Sequence, residues 1–246
     1  MKRSNKFIIT TLVITWLLWL PAVLNQHMTV AEPFLFMSMF ANMVPSVLGI
    51  VFLNKYHKGW HKKRLGLKIN WLIALIMITY IPLQGLLSYL LTKGIDTNFT
   101  ANIVWGNIVM FIPIIFIGGP LGEEFGWRGF LQDELTKDHI YRGTLVLGLV
   151  WSLWHLPLFF MEGTVQSQIP FYQFLLQNTL YAFYYTWFYR RTHGSIVWMI
   201  LFHAIANTTS AIFPYWQSNI GRWIGFVILL ACYLLLPKKE MLVEEN

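Results

Sequence analysis

Two adjacent carboxylates, Glu123 and Glu124, are followed by Arg128, and the three stand directly after a long apolar segment. Two further polar insertions interrupt apolar runs downstream: His155, within 150–157, and the pair His203 and Asn207, within 201–207. Ionised groups at membrane depth cost at least about 2.5 kcal/mol each, which makes them functional-site candidates whose partners should be sought. The spacing predicts a helix over 122–135, with Pro120 and Gly122 suiting its start and the carboxylates favoured by the dipole of a first turn. On that helix Glu124 and Arg128 share a face and can pair. Glu123 lies about 100° round the axis and is free for another task.

The chemistry open to this inventory is hydrolysis by an activated water. Glu123, desolvated beside imidazoles, suits a general base, and His155 suits holding the water or a metal ion. His203 and Asn207, four residues apart on one helix face, suit donating hydrogen bonds to the oxyanion of a tetrahedral intermediate. Glu124 and Arg128 then fix the helix that carries Glu123. A Gly-x-Ser-x-Gly elbow and a His-Glu-x-x-His zinc motif are both absent from the chain.

Each feature also has an ordinary reading. The Glu-Glu/Arg run could be a helix start at the membrane surface. One histidine inside a span usually makes an interhelical hydrogen bond of about 0.6 kcal/mol, and His203 with Asn207 could be packing glue beside Ala204 and Ala206. The conjunction favours a site: polar and ionisable groups at depth cluster in three segments, and no Asp, Glu, Lys, Arg or His lies near the centres of spans one, two, three and eight.

The elements that must position these residues are membrane helices. The 246 residues are 56% hydrophobic and 12% charged, against roughly 25% charged in soluble domains, and the mean hydropathy is +0.53. Stretches of about 20 apolar residues, the length needed to cross a bilayer, fall at 7–24, 34–53, 71–92, 101–119, 143–160, 171–189, 195–213 and 222–236. The first, preceded by Lys2, Arg3 and Lys6, resembles a signal peptide but is long for one, and is read as a retained span. The expected fold class is all-α: a polytopic membrane protein of eight transmembrane helices, one integral domain over 1–246, with a catalytic core at about 101–213.

Charge supports the count. The N-terminus, loop 54–70, loop 132–142, loop 190–194 and the C-terminal tail carry the lysines and arginines, whereas loops 25–33, 93–100, 161–170 and 214–221 hold only Lys93 of that kind. This alternation puts both termini in the cytoplasm by the positive-inside rule. The net charge of +7 is therefore orientation and headgroup contact; no continuous basic face suits nucleic acid. The single cysteine, Cys232, excludes an intramolecular disulfide and a cysteine metal cluster.

Three ordered motifs resemble those of the type II CAAX prenyl protease group, also called the CPBP or Abi family of intramembrane proteases. Glu-Glu-x-x-x-Arg is matched by 123–128, an aromatic four residues before a histidine by Trp151 and His155 (Trp where Phe is usual), and His-x-x-x-Asn by His203 and Asn207. Each motif alone is weak, and the ordered triple within about 101–213 is specific. The resemblance implies an eight-helix fold with a cavity open toward the cytoplasm and a peptide bond as target. It further implies that Glu123 and His155 activate water, with His203 and Asn207 as the oxyanion hole. Glu123, His155 and His203 also satisfy a three-ligand catalytic zinc pattern, so zinc is possible, though a metal-free glutamate mechanism fits the same residues. The substrate would be a membrane-associated peptide or protein. The short loops look like those of bacterial relatives of the plasma membrane, which are associated with bacteriocin immunity, peptide-pheromone maturation and envelope phenotypes. Two other classes compete: a non-enzymatic immunity or scaffold protein, and a small-solute transporter. The latter is disfavoured because no hydropathy repeat relates the two halves.

Overall fold

A computed structural model describes residues 1–25, 32–101 and 116–237, with side chains treated from 37 onward in the second segment. Among these residues every regular element is helical and no strand occurs. The long helices are α1 (Arg3–Leu24), α2 (Glu32–Tyr56), the short surface helix α3 (Trp60–Arg64), and α4 (Trp71–Ile95). A composite helix α5 (117–136) follows, and then α6 (Ile140–Trp154), α7 (Phe171–Arg191), α8 (Ile196–Ile212) and α9 (Asn219–Leu235). Side-chain caps explain several starts: Asn70 accepts from the Leu72 N–H at 2.9 Å, and Ser218 from the Gly221 N–H at 3.1 Å.

Four helical stretches among the described residues are long and apolar enough to cross a bilayer, at Arg3–Leu24, Met37–Tyr56, Trp71–Ile95 and Ile140–Phe160. Helices α8 and α9 are apolar but shorter. Residues 102–115 of the expected span at 101–119 lie outside the described residues. Helix α7 has the length to cross but not the hydropathy, and its packing shows why. It carries buried Gln173, Asn178 and Thr186 together with buried Tyr184 and Tyr185, so much of its circumference meets protein. The outer helices instead show apolar side chains to the surroundings, such as Leu17 on α1, Leu83 on α4 and Val227 on α9. Polar contacts tie the centre together: Gln132 donates to Thr186 at 3.0 Å, Thr186 lies 3.0 Å from Thr144, and Tyr184 donates to the Leu229 carbonyl at 2.6 Å. The molecule is a multi-pass helical membrane protein.

Helix α5 differs from the helix expected over 122–135. It is already helical from residue 117 and runs to 136 through a π turn (Ile117–Leu121), one α turn (Gly122–Glu124), a second π turn (Phe125–Leu131) and an α turn (Gln132–Thr136). Pro120 therefore sits inside a π turn rather than at a helix start. Ser46 of α2 supplies one cause of the irregularity. Its hydroxyl donates to the Leu121 carbonyl at 2.8 Å and accepts from the Phe125 N–H at 3.2 Å, the two groups that an unbroken α-helix would join directly. Such π turns concentrate at functional sites, and here the insertion occurs across Glu123 and Glu124.

Ser46 can reach that backbone because α2 and α5 touch through glycine. A Cβ on Gly126 would collide with the Pro45 carbonyl, one on Gly122 with the Asn42 carbonyl, and one on Gly49 with the Phe125 backbone. Gly118, Gly122 and Gly126 recur every four residues, the small-residue stripe that lets membrane helices approach closely. Gly126→Ala should therefore push α5 off α2, costing about 1–3 kcal/mol as overpacking. The check is a lowered thermal unfolding midpoint in detergent, beside an unchanged midpoint for the solvent-side control Gly66→Ala, whose Cβ would meet nothing within 4 Å.

Candidate active site

A cavity of about 740 Å³ is lined by Glu123, His155, His203 and Asn207 together, with Trp151, Tyr185 and Gly119 among its walls. Three helices bring the four residues there. Helix α5 carries Glu123 in the α turn between its two π turns, 4% exposed and 13 residues before the helix ends. Both carboxylates are thus well inside the protein, and the reading of them as a helix start at the membrane surface does not hold.

His155 lies at the end of α6, inside the apolar stretch Ile140–Phe160. The helix closes at Trp154, and the chain tightens into a 3-10 turn over Leu156–Phe160. Pro157 is the reason, since it has no N–H to continue the ladder and disfavours helix at the residue before it. The His155 Nδ1 lies 2.8 Å from the Trp151 carbonyl. A carbonyl only accepts, so Nδ1 carries the proton and Nε2 keeps a lone pair. The ring is set between Trp154 and Phe174, with centroids 4.6 and 5.0 Å away.

Glu123 is held by indoles. Its Oε2 accepts from the Trp127 Nε1–H at 3.1 Å and the Trp151 Nε1–H at 2.6 Å. Its Oε1 has no hydrogen-bond partner among the described residues, so one carboxylate oxygen is anchored and the other is left to the cavity. A Cβ built on Gly119 would lie 3.1 Å from Asn207 Nδ2 and 3.9 Å from Glu123 Oε1. A side chain there would press on the Asn207 amide, which would have to give by a few tenths of an ångström, and would meet Glu123 Oε1 in ordinary contact.

Glu124 faces the other way and accepts from two side-chain donors. Its Oε1 accepts from Arg128 Nη1 at 2.8 Å, the expected pairing, and from His203 Nδ1 at 2.7 Å, which was not expected. The second bond sets the histidine: Nδ1–H is given to Glu124, and Nε2 is the nitrogen left for the cavity. Arg128 is fully enclosed, with its guanidinium carbon 4.2 Å from the Trp151 ring centroid and 3.6 Å from that of Tyr185. Its Nε and Nη2 have no hydrogen-bond acceptor among the described residues, so the two ring faces take that place. Trp151 is the hub: it donates to Glu123, stacks on Arg128, and stands edge-on to His155 and His203 at 6.0 and 5.7 Å.

The candidate zinc ligands Glu123, His155 and His203 all line this cavity. No group of three or more His, Cys, Asp or Glu side chains that could hold a metal ion occurs among the described residues. Each of the three is held by one atom, Glu123 Oε2 by two indoles, His203 Nδ1 by Glu124 and His155 Nδ1 by a carbonyl, which leaves Oε1 and the two Nε2 atoms for the cavity.

Of the motif residues, Glu123, Trp151, His155, His203 and Asn207 meet in one cavity and Glu124 and Arg128 stand behind it, while Trp127, Tyr185, Gly119 and Ser46 were not foreseen. For Trp127 a signal existed, since it lies four residues after Glu123 and so on the same helix face. Comparison with known proteins agrees with the resemblance carried by the three motifs. Residues 105–209 match the family model described as type II CAAX prenyl endopeptidase Rce1-like. A curated protein of Methanococcus maripaludis, CAAX prenyl protease 2, is 26% identical over 259 aligned residues, covering 97% of this chain and 95% of that protein.

Proposed function

We propose, from the premise that this is a Rce1-like chain, that it is an intramembrane endopeptidase acting as one membrane domain on a membrane-associated peptide or protein, in a bacterial plasma membrane. The observation that carries the proposal is the asymmetry of Glu123: Oε2 is pinned by two indole N–H groups while Oε1 is left to a cavity that His155, His203 and Asn207 also line.

In this reading a water bound between Glu123 Oε1 and the lone pair of His155 Nε2 gives its proton to Glu123 as its oxygen attacks the peptide carbonyl carbon. Asn207 Nδ2–H and protonated His203, through Nε2–H, hold the oxyanion. When the tetrahedral intermediate collapses, the C–N bond breaks and the proton passes from Glu123 to the leaving nitrogen. Glu124 and Arg128 are positioning residues: Glu124 orients His203, and Arg128 braces Glu124 against Trp151 and Tyr185.

The test is hydrolysis by the purified chain in lipid vesicles, offered labelled membrane-inserted peptides and read by mass spectrometry. Wild type should cleave, and Asn207→Ala should lower kcat about 10²- to 10³-fold with KM little changed, because the lost donor serves the transition state. A protein that cleaves nothing yet retains a cellular immunity phenotype, or an Asn207→Ala variant as fast as wild type, would overturn the proposal.

A further inference from the structure

The helices divide their ends into two faces, and the cavity belongs to one of them. Arg3 stacks on Tyr56 with its guanidinium carbon 4.7 Å from the ring centroid, which joins the start of α1 to the end of α2. Arg64 of α3 pairs with Asp133 near the end of α5, and Tyr189 near the end of α7 donates to the same Asp133 at 3.1 Å. A second cavity is lined on this face by Lys63, Arg64, Lys137, Arg142 and Arg190. The opposite face gathers the end of α4 and the start of α9, where Ser218 meets Asp96.

The walls of the cavity holding Glu123 lie toward this second face. They come from the first half of α2 (Ser38, Asn42), the start of α5 (Gly119), the turns after α6 (Leu158, Val165) and the turn before α9 (Trp216). No residue of the basic loops 54–70, 132–142 or 190–194 takes part. On the cavity side stand Lys93 and Arg222. Arg222 is bound to Gln173, to the Trp216 carbonyl at 2.7 Å and to Asn219 at 3.3 Å. Arg128 lies inside the site, and every other Lys and Arg among the described residues falls at the opposite helix ends. Lys and Arg in short loops mark the cytoplasmic side of a membrane protein.

We infer that the active-site cavity opens on the face away from the cytoplasm, so that the substrate is an exported peptide or the outward-facing part of a membrane protein. This rests on the proposed hydrolytic function only for the word substrate; the sidedness stands on the charge and the cavity. It is opposite to the cytoplasmic opening that the family resemblance implied, and it disfavours cytoplasmic prenylated proteins as targets. The turn at the cavity lip is held by its own contacts, with Thr164 Oγ1 donating to the Leu158 carbonyl at 2.7 Å. Val165 beside it is 48% exposed.

The single native cysteine makes the test direct. In a Cys232→Ala background, Val165→Cys marks the cavity lip and Lys137→Cys the basic face. Intact bacterial cells are treated with a membrane-impermeant maleimide before and after permeabilisation. Val165→Cys should label at least tenfold more than Lys137→Cys in intact cells, and the two should become equal once the membrane is opened. The reverse order, or equal labelling without permeabilisation, would overturn the inference. Labelling requires no turnover, so a failed hydrolysis assay leaves this result readable, and reversed labelling leaves hydrolysis standing while moving its substrate to the cytoplasm. A membrane-impermeant peptide added to intact cells should likewise be cut from outside.

Discussion

Glu123→Gln is expected to lower peptide hydrolysis about 10³-fold while leaving the unfolding midpoint within a few degrees of wild type. A positioned general base contributes roughly 10²- to 10⁴-fold, and an amide cannot take the proton of water. The amide oxygen can still accept from both Trp127 and Trp151, the two indoles that now hold Oε2. That makes glutamine the informative replacement. Glu123→Ala would leave two enclosed indole N–H groups without an acceptor, each at about 1–3 kcal/mol, so loss of activity there would not distinguish chemistry from collapse. Initial rates in vesicles and thermal unfolding on the same preparation decide it. A glutamine variant within tenfold of wild type would remove Glu123 from the chemistry.

The four residues of the cavity were legible in the sequence because each is an ionisable or amide group where an apolar residue would be the default. The pairing of Glu124 with Arg128 was legible from their spacing alone. Trp151 was noticed as an aromatic preceding His155, but its donation to Glu123 joins α6 to α5 and follows from no local rule. The same holds for His203 and Glu124, 79 residues apart. Ser46 was hidden for a further reason: a serine in an apolar helix reads as a tolerated small polar residue unless the helix it faces is known to be interrupted. Two signals were present and unused. Pro157 foretells that α6 ends near His155, and glycine at 118, 122 and 126 foretells close approach of α5 to a neighbour. Helix α7 shows the limit of hydropathy: a helix surrounded by protein needs no continuous apolar surface, so composition understates it.

Arg128→Met should destabilise the protein by about 3–5 kcal/mol, because it leaves Glu124 enclosed with only His203 to balance it. Both side chains of the pair are fully buried, so water cannot take the missing role. The loss of the ring contacts at 3.6 and 4.2 Å also frees Trp151 and Tyr185 to move, and Trp151 is what anchors Glu123. A fall of the detergent unfolding midpoint by about 10 °C is the expected reading. Glu124→Gln combined with Arg128→Met should regain at least half of that fall, since the pair is then neutral and the new amide oxygen still accepts from His203 Nδ1. Hydrolysis should not return with it, because a neutral amide holds His203 by a weaker hydrogen bond than the carboxylate does and the oxyanion loses a firmly placed donor. If the single Arg128→Met variant unfolds with wild type, the buried pair does not hold α5 in place. If the double variant recovers activity as well as stability, His203 does not depend on Glu124 and its place in the oxyanion hole falls.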